Sequence, residues 1–156
     1  MKCLTVCVPY PYLMFLPRDD PRWKGVENRT WRTSYRGPLL IHAGLSKRFL
    51  HLVGKGNLPM FPKDEEYDIP LSEMKRGVIV GQVDLVDCLS VYGPHHRFSD
   101  PSAIRRFPWL LGHRHVEGPV CWVLSNARKF VEPIPFKGAQ GLFSVPDSTL
   151  EGARFA

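Results

Sequence analysis

The chain has 156 residues, of which 44% are hydrophobic and 23% charged, a globular balance that excludes a disordered or collagen-like chain. Its formal net charge is +6, and residues 18–55 account for all of it, with nine Lys and Arg against three acids. No apolar run approaches the roughly 18 residues of a membrane span, and the four cysteines form no C-x-x-C pair, which argues against a structural zinc site.

A chain of this length fits one domain, 1–156, with a core of its own. The opening stretch MKCLTVCVPY is too short for the apolar part of a secretory signal. A soluble cytoplasmic monomer is expected, with no membrane partner, no metal and no cofactor. Cys3, Cys7, Cys88 and Cys121 read as free, mostly buried thiols of a reducing compartment.

In chain order, residues 2–8 alternate as a strand that Pro9 ends. Tyr10 to Leu16 reads as a short buried helix with Pro11 in its first turn. Residues 17–25 are a loop, 26–33 a short strand, and Tyr35-Arg36-Gly37-Pro38 a turn into a buried strand at Leu39–Ala43. Residues 45–53 place Leu45, Phe49, Leu52 and Val53 on one helical face, which predicts an amphipathic helix. Residues 54–70, rich in Gly, Pro and mixed charge, are an insertion and a candidate lid. The apolar pattern over 77–88 is the strongest strand signal, with Gly81 marking a bend or bulge. Residues 89–118 are a second irregular region with a short helix at 101–107. A strand at 119–125 follows, beyond which Pro133 and Pro135 interrupt continuation. The last strand, 138–145, is entered through Gly138 and Gly141. Separated strands with short helices exclude a doubly wound parallel sheet. They fit an α+β fold, a small curved, mostly antiparallel sheet or barrel flanked by short helices.

The segment Trp23–His42 carries the chemistry. Cations interleaved with flat rings suit the stacking of bases and the holding of phosphates. Lys24 and Glu27 are a candidate catalytic pair, with the alternative that Glu27 simply holds the lysine charged. Arg29 and Arg36 suit bidentate phosphate contacts, or else pair with Asp84 or Asp87. Asn28 has the groups to read a base edge, or to cap a turn. Trp31 and Tyr35 stack a base or join the core, and Trp122 reads as core. His42 ends a strand and is a candidate acid or base. Tyr35 joins Lys24, Glu27 and His42 among the candidate catalytic residues of a metal-free hydrolase. Lys47 on the predicted helix, with Ser125 and Asn126 at a strand end, extends the basic site. Ser125 with Lys47 is also a weak nucleophile pair, because no G-x-S-x-G elbow supports it. His95-His96 and His113-x-His115 lack a matched carboxylate or thiolate and read as surface residues.

These residues resemble a family signature. Lys24-x-x-Glu27-Asn28-Arg29-x-Trp31, followed by Tyr35-Arg36-Gly37-x-Leu39-Leu40-Ile41-His42-Ala43, is similar to that of ASCH domains, which belong to the PUA-like group of small β-barrels. The stretches from Gly77 to Cys88, Gly118 to Asn126 and Pro133 to Phe143, Lys137 included, continue the resemblance over 1–145 apart from the two irregular regions. The resemblance implies a β-barrel flanked by helices, with the Lys-x-x-Glu-x-Arg segment lining a cleft. It implies RNA-related work as well: binding single-stranded RNA or a modified nucleoside or nucleotide through Lys24, Asn28, Arg29, Trp31, Tyr35, Arg36, Lys47, Ser125, Asn126 and Lys137. The alternative is hydrolysis, either ribonuclease action or removal of the acetyl group of N4-acetylcytidine. In that last branch Lys24 matches the family lysine, while Glu27 stands where the branch has threonine. The branch's distant glutamate aligns with no position through Gly93–Pro108.

Overall fold

The computed structural model describes residues 1–50 and 71–156. The elements are β1 (Lys2–Val6), α1 (Tyr10–Leu13), β2 (Val26–Arg29), β3 (Gly37–Ala43), β4 (Val78–Tyr92), β5 (Arg97–Phe98), α2 (Ala103–Arg106), β6 (Val120–Pro135) and β7 (Leu142–Ser144). Strands dominate, and the two α-helices are single turns of four residues each. The strand order is β2-β6-β4-β3-β1-β7, with β5 paired to β4. Among the described residues this path does not close on itself, and β2 and β7 are its edges. All pairings are antiparallel except that of β1 with β3.

The Val/Ile/Leu-rich β4 lies inside the sheet, between β3 and β6, so it is covered along both edges and carries buried residues on both faces. Its pairing with β6 shifts register three times, first between Ile79 and Gly81. A Cβ on Gly81 would lie 2.4 Å from the Arg128 carbonyl oxygen, so only glycine lets the two backbones approach there. The bulge expected at Gly81 is present. Trp122, fully buried on β6, sits in the main core with Leu4, Leu39, Ile41, Val83, Leu85 and Leu124. Burying side chains of this size contributes about 1.5–3 kcal/mol each. A second core under α2 joins Val26, Leu89, Leu110 and Cys121.

Three expectations are corrected. Residues 45–49 form a bend and turn instead of an α-helix, and Leu45, placed on the apolar face, is 71% exposed. The Ser46 hydroxyl accepts the Arg48 amide, a local bond that competes with the helical pattern. The rest of that predicted helix and the insertion 54–70 lie outside the described residues. Secondly, β6 runs through Pro133 and Pro135. β2 covers β6 only over Val120–Val123, so the missing proline donors fall on an edge without a neighbouring strand. Finally, β4 extends into the region read as irregular, as far as Tyr92.

Candidate functional site

Lys24 and Glu27 meet in a buried charged cluster. The lead-in to β2 is fixed from both sides: the Lys24 amide donates to the Leu13 carbonyl of α1 at 3.1 Å, and the Gly25 carbonyl accepts the Leu124 amide of β6 at 2.9 Å. This holds the Lys24 side chain inside, at 4% exposure, with Glu27 at 8%. Lys24 Nζ donates to the Val26 carbonyl at 2.6 Å and stands 3.0 Å from Glu27 Oε2. Arg29 Nη2 lies 3.1 Å from Glu27 Oε1 and donates to the Thr5 carbonyl at 2.8 Å. Both carboxylate oxygens are therefore engaged by cations, and the cluster holds two positive charges against one negative. The Arg29 Nε proton is buried with no partner among the described residues.

The cluster floors a cleft of about 430 Å³ whose walls include Thr5, Cys7, Tyr10, Asn28, Arg48, Phe49 and Glu117. That volume lies in the range of small-molecule sites, about 300–1,000 Å³. The Tyr10 ring lies 5.6 Å from Lys24 Nζ. Burial, with smaller effects from Glu117, Glu27 and Cys7, raises the Tyr10 hydroxyl above its ordinary range.

The back of the cleft is a loop held by Asn28. Its Nδ2 donates to the His115 carbonyl at 2.7 Å, and its Oδ1 accepts the amides of Glu117 and Gly118 at 3.0 and 2.9 Å. His115, read from sequence as a surface residue, is 2% exposed and bonds the Arg22 carbonyl through Nε2 at 3.0 Å. The Gly25 amide donates to His113 Nε2 at 3.3 Å. Burial pushes both imidazoles down to about 4, helped at His113 by the charges of His115, Lys24 and Arg18, and at His115 by Lys24 and Arg114, with the Arg22 carbonyl opposing. The two rings lie 5.7 Å apart, inclined at 59°. Among the described residues no group of three or more His, Cys, Asp or Glu is placed to hold a metal.

The remaining candidates fall elsewhere. Tyr35 donates its hydroxyl to the Pro38 carbonyl. Arg36 pairs with Asp87 at 3.1 Å, and Arg106 reaches the same carboxylate at 2.7 Å. Burial works against ionisation of Asp87, but the Arg106 and Cys88 hydrogen bonds and the two guanidinium charges outweigh it and lower its carboxyl below the ordinary range. Trp31 packs edge-on against Trp122 at 4.7 Å and accepts the Trp122 indole N–H at its carbonyl. His42 is 1% exposed, with Nδ1 3.2 Å from the Thr5 hydroxyl and Nε2 2.9 Å from the Phe136 carbonyl. Burial lowers its basicity, with the Phe136 bond opposing. Lys47 and Lys137 are exposed and line neither this cleft nor the one described next.

Ser125 and Asn126 line a second cleft, of about 460 Å³, which shares Lys24 with the first. Its aromatic wall is Trp23 and Trp109, with ring centroids 5.0 Å apart. Arg18 lies 5.5 Å from each of those rings. Sequence reading noted Trp23 and counted Arg18 and Arg48 in the basic segment without naming either as a site residue; it read Tyr10 and Phe49 as helix residues and passed over Trp109 and Glu117. The aromatic pair Phe107 and Trp109, flanking Pro108 at a 3-10 turn, was the available signal.

Fold and site together define a class: a sheet-dominated protein with a buried Lys–Glu–Arg cluster at the floor of one cleft and a second cleft that adjoins it at Lys24. No family model matches the chain. It is similar to activating signal cointegrator 1 of Homo sapiens, at 28% identity over 155 residues, which cover 97% of this chain and 23% of that protein. The chain thus spans under a quarter of the length of this relative. No helix among the described residues is long and apolar enough to cross a membrane.

Proposed function

We propose that the chain is an ASCH-type, PUA-like domain that binds single-stranded RNA or a modified nucleotide, with one base in the cleft over Lys24, Glu27 and Arg29. The observation that carries this is the buried cluster itself: two cations and one carboxylate at the floor of a cleft of about 430 Å³. Sites that hold a small polar ligand converge a few charged groups in this way. The similarity to activating signal cointegrator 1, an ASCH-domain protein, over nearly the whole chain supports the family reading. The register shifts along β4 and β6 supply the curvature a PUA-like sheet needs.

Binding is preferred to hydrolysis because the side chains that would move protons are already held. Lys24 is engaged by Val26 and Glu27, and His42 by Thr5 and Phe136. Arg48, exposed at the rim, supplies a phosphate contact. The test is anisotropy of a labelled RNA hexamer at stepped salt, with wild type and Arg48→Ala. Affinity falls several-fold in the variant, and the log–log salt slope decreases by about 0.7, the value of one single-strand phosphate contact. Chromatography of N4-acetylcytidine incubations runs in parallel. Product formation there would replace this reading with the hydrolase.

A further inference from the structure

We propose that the second cleft, walled by Arg18, Trp23 and Trp109, stacks a further base of the bound single-stranded RNA. The inference extends the function proposed above and rests on its RNA reading. The wall is built for a flat ring. Arg18 lies 5.5 Å from the centroids of both indoles, which are themselves 5.0 Å apart and inclined at 60°. A guanidinium backed by aromatic rings is a planar surface that stacks on a base while keeping its charge for the adjoining phosphate.

The charge of the lining favours the phosphate that adjoins a stacked base. Arg18 supplies a cation to it, and among the described residues no Asp or Glu lines it. Asp19 and Asp20, in the same loop as Arg18, line the opposite side of the indole pair, where Asp20 is bonded to Arg22 at 2.7 Å. Across the cleft stands Ser125, exposed, whose hydroxyl has no hydrogen-bond partner among the described residues. Beside it Asn126, at φ 50°, has its amide nitrogen fixed to Asp84 at 3.0 Å, which leaves its side-chain oxygen to accept. These are donor and acceptor groups for a base edge.

Both clefts include Lys24 in their lining, so they adjoin at this residue. Its Nζ is turned to Val26 and to Glu27 of the first cleft. A strand that passes Lys24 places one base in each cleft.

The experiment titrates unlabelled RNA hexamer into wild type, Arg18→Ala, Arg18→Lys and Arg48→Ala, reading indole emission and, by competition, affinity. Arg18 and Arg48 are exposed, so the variants keep the fold. Wild-type emission is quenched on binding because Trp23 and Trp109 face the base. Arg18→Ala weakens binding about tenfold, the scale of one base–aromatic stack, and reduces the quench. Arg18→Lys, which keeps the charge but not the plane, does not rescue it. Binding sensitive to Arg48 but unchanged in both Arg18 variants, without quenching, overturns this inference and leaves the first-cleft reading standing. Quenching and Arg18 sensitivity with no effect of Arg48→Ala does the reverse. A wild type that binds no RNA overturns both.

Discussion

Replacing Glu27 by Gln tests whether the charged cluster holds the fold as well as the site. The Lys24 and Glu27 side chains expose only 5% and 10%, and Arg29 exposes 23%. Glutamine fills the same space but leaves two cations facing a neutral amide. Removing one member of a buried pair costs about 3–5 kcal/mol, because the partner's charge stays desolvated. Two features pull the value toward the low end. Lys24 keeps its 2.6 Å bond to Val26, and Arg29 is exposed enough to turn toward water. The expected loss is about 3 kcal/mol, or about 1.5 M in urea midpoint at a slope near 2 kcal/mol per M. Urea unfolding followed by far-UV circular dichroism measures it. A cycle with Lys24→Met then isolates the pair: the double variant is less damaged than the sum of the singles, with a coupling of about 1.5–3 kcal/mol. A Glu27→Gln protein within 0.5 kcal/mol of wild type, or a strictly additive cycle, refutes the reasoning that the lysine is held by this carboxylate.

Three further outcomes follow from the same region. Asn28→Ala removes three bonds to the 115–118 loop and costs about 2–3 kcal/mol, with faster amide exchange at Glu117 and Gly118 as the local signature. Gly25→Ala puts a Cβ 2.3 Å from Trp23 and 2.9 Å from Trp109, so the indoles shift; stability falls by about 1–3 kcal/mol and the emission maximum moves. Stability also depends on acid. His113 and His115 titrate near 4 when folded and near the ordinary 6.5 when unfolded. The unfolded chain therefore takes up more protons between those values, and stability, full above pH 6.5, falls as pH drops toward 4 by about 1.4 kcal/mol per unit for each ring. Urea midpoints across that window measure the slope, His115→Gln halves it, and a flat profile contradicts it.

Strand positions were largely legible where apolar residues are continuous. β4 showed itself through its Val and Leu run, and Gly81 through its interruption of that run. The pairing of Lys24 with Glu27 and of Arg36 with Asp87 was open to sequence reasoning as one of two alternatives for each residue. What sequence hid was polar burial. His113 and His115 are titratable residues in an irregular stretch, and nothing local says that the Gly25 amide waits for the one and the Arg22 carbonyl for the other. Asn28 likewise has the same side chain whether it reads a base or holds a loop. The aromatic cleft was hidden because Arg18 and Trp109 are distant in sequence and meet only when β2 has docked on β6. The failed helix at Leu45 shows the opposite error, a periodicity outcompeted by one serine hydroxyl.

The pairing of β1 has a consequence for how the chain is made. β1 lies between β3 and β7, and the backbones of Met1 and Val145 bond each other in both directions, at 2.8 Å. The ribosome delivers one neighbour of this strand soon after it and the other only after β4 and β6 have been made. Until residues 142–144 emerge, the nascent sheet displays β1 as a bare rim, with Cys3 and Leu4 lacking their partners Phe143 and Leu142, of the kind that recruits stray strands. Translation that stalls before β7 leaves a nearly complete sheet with its most adhesive side open.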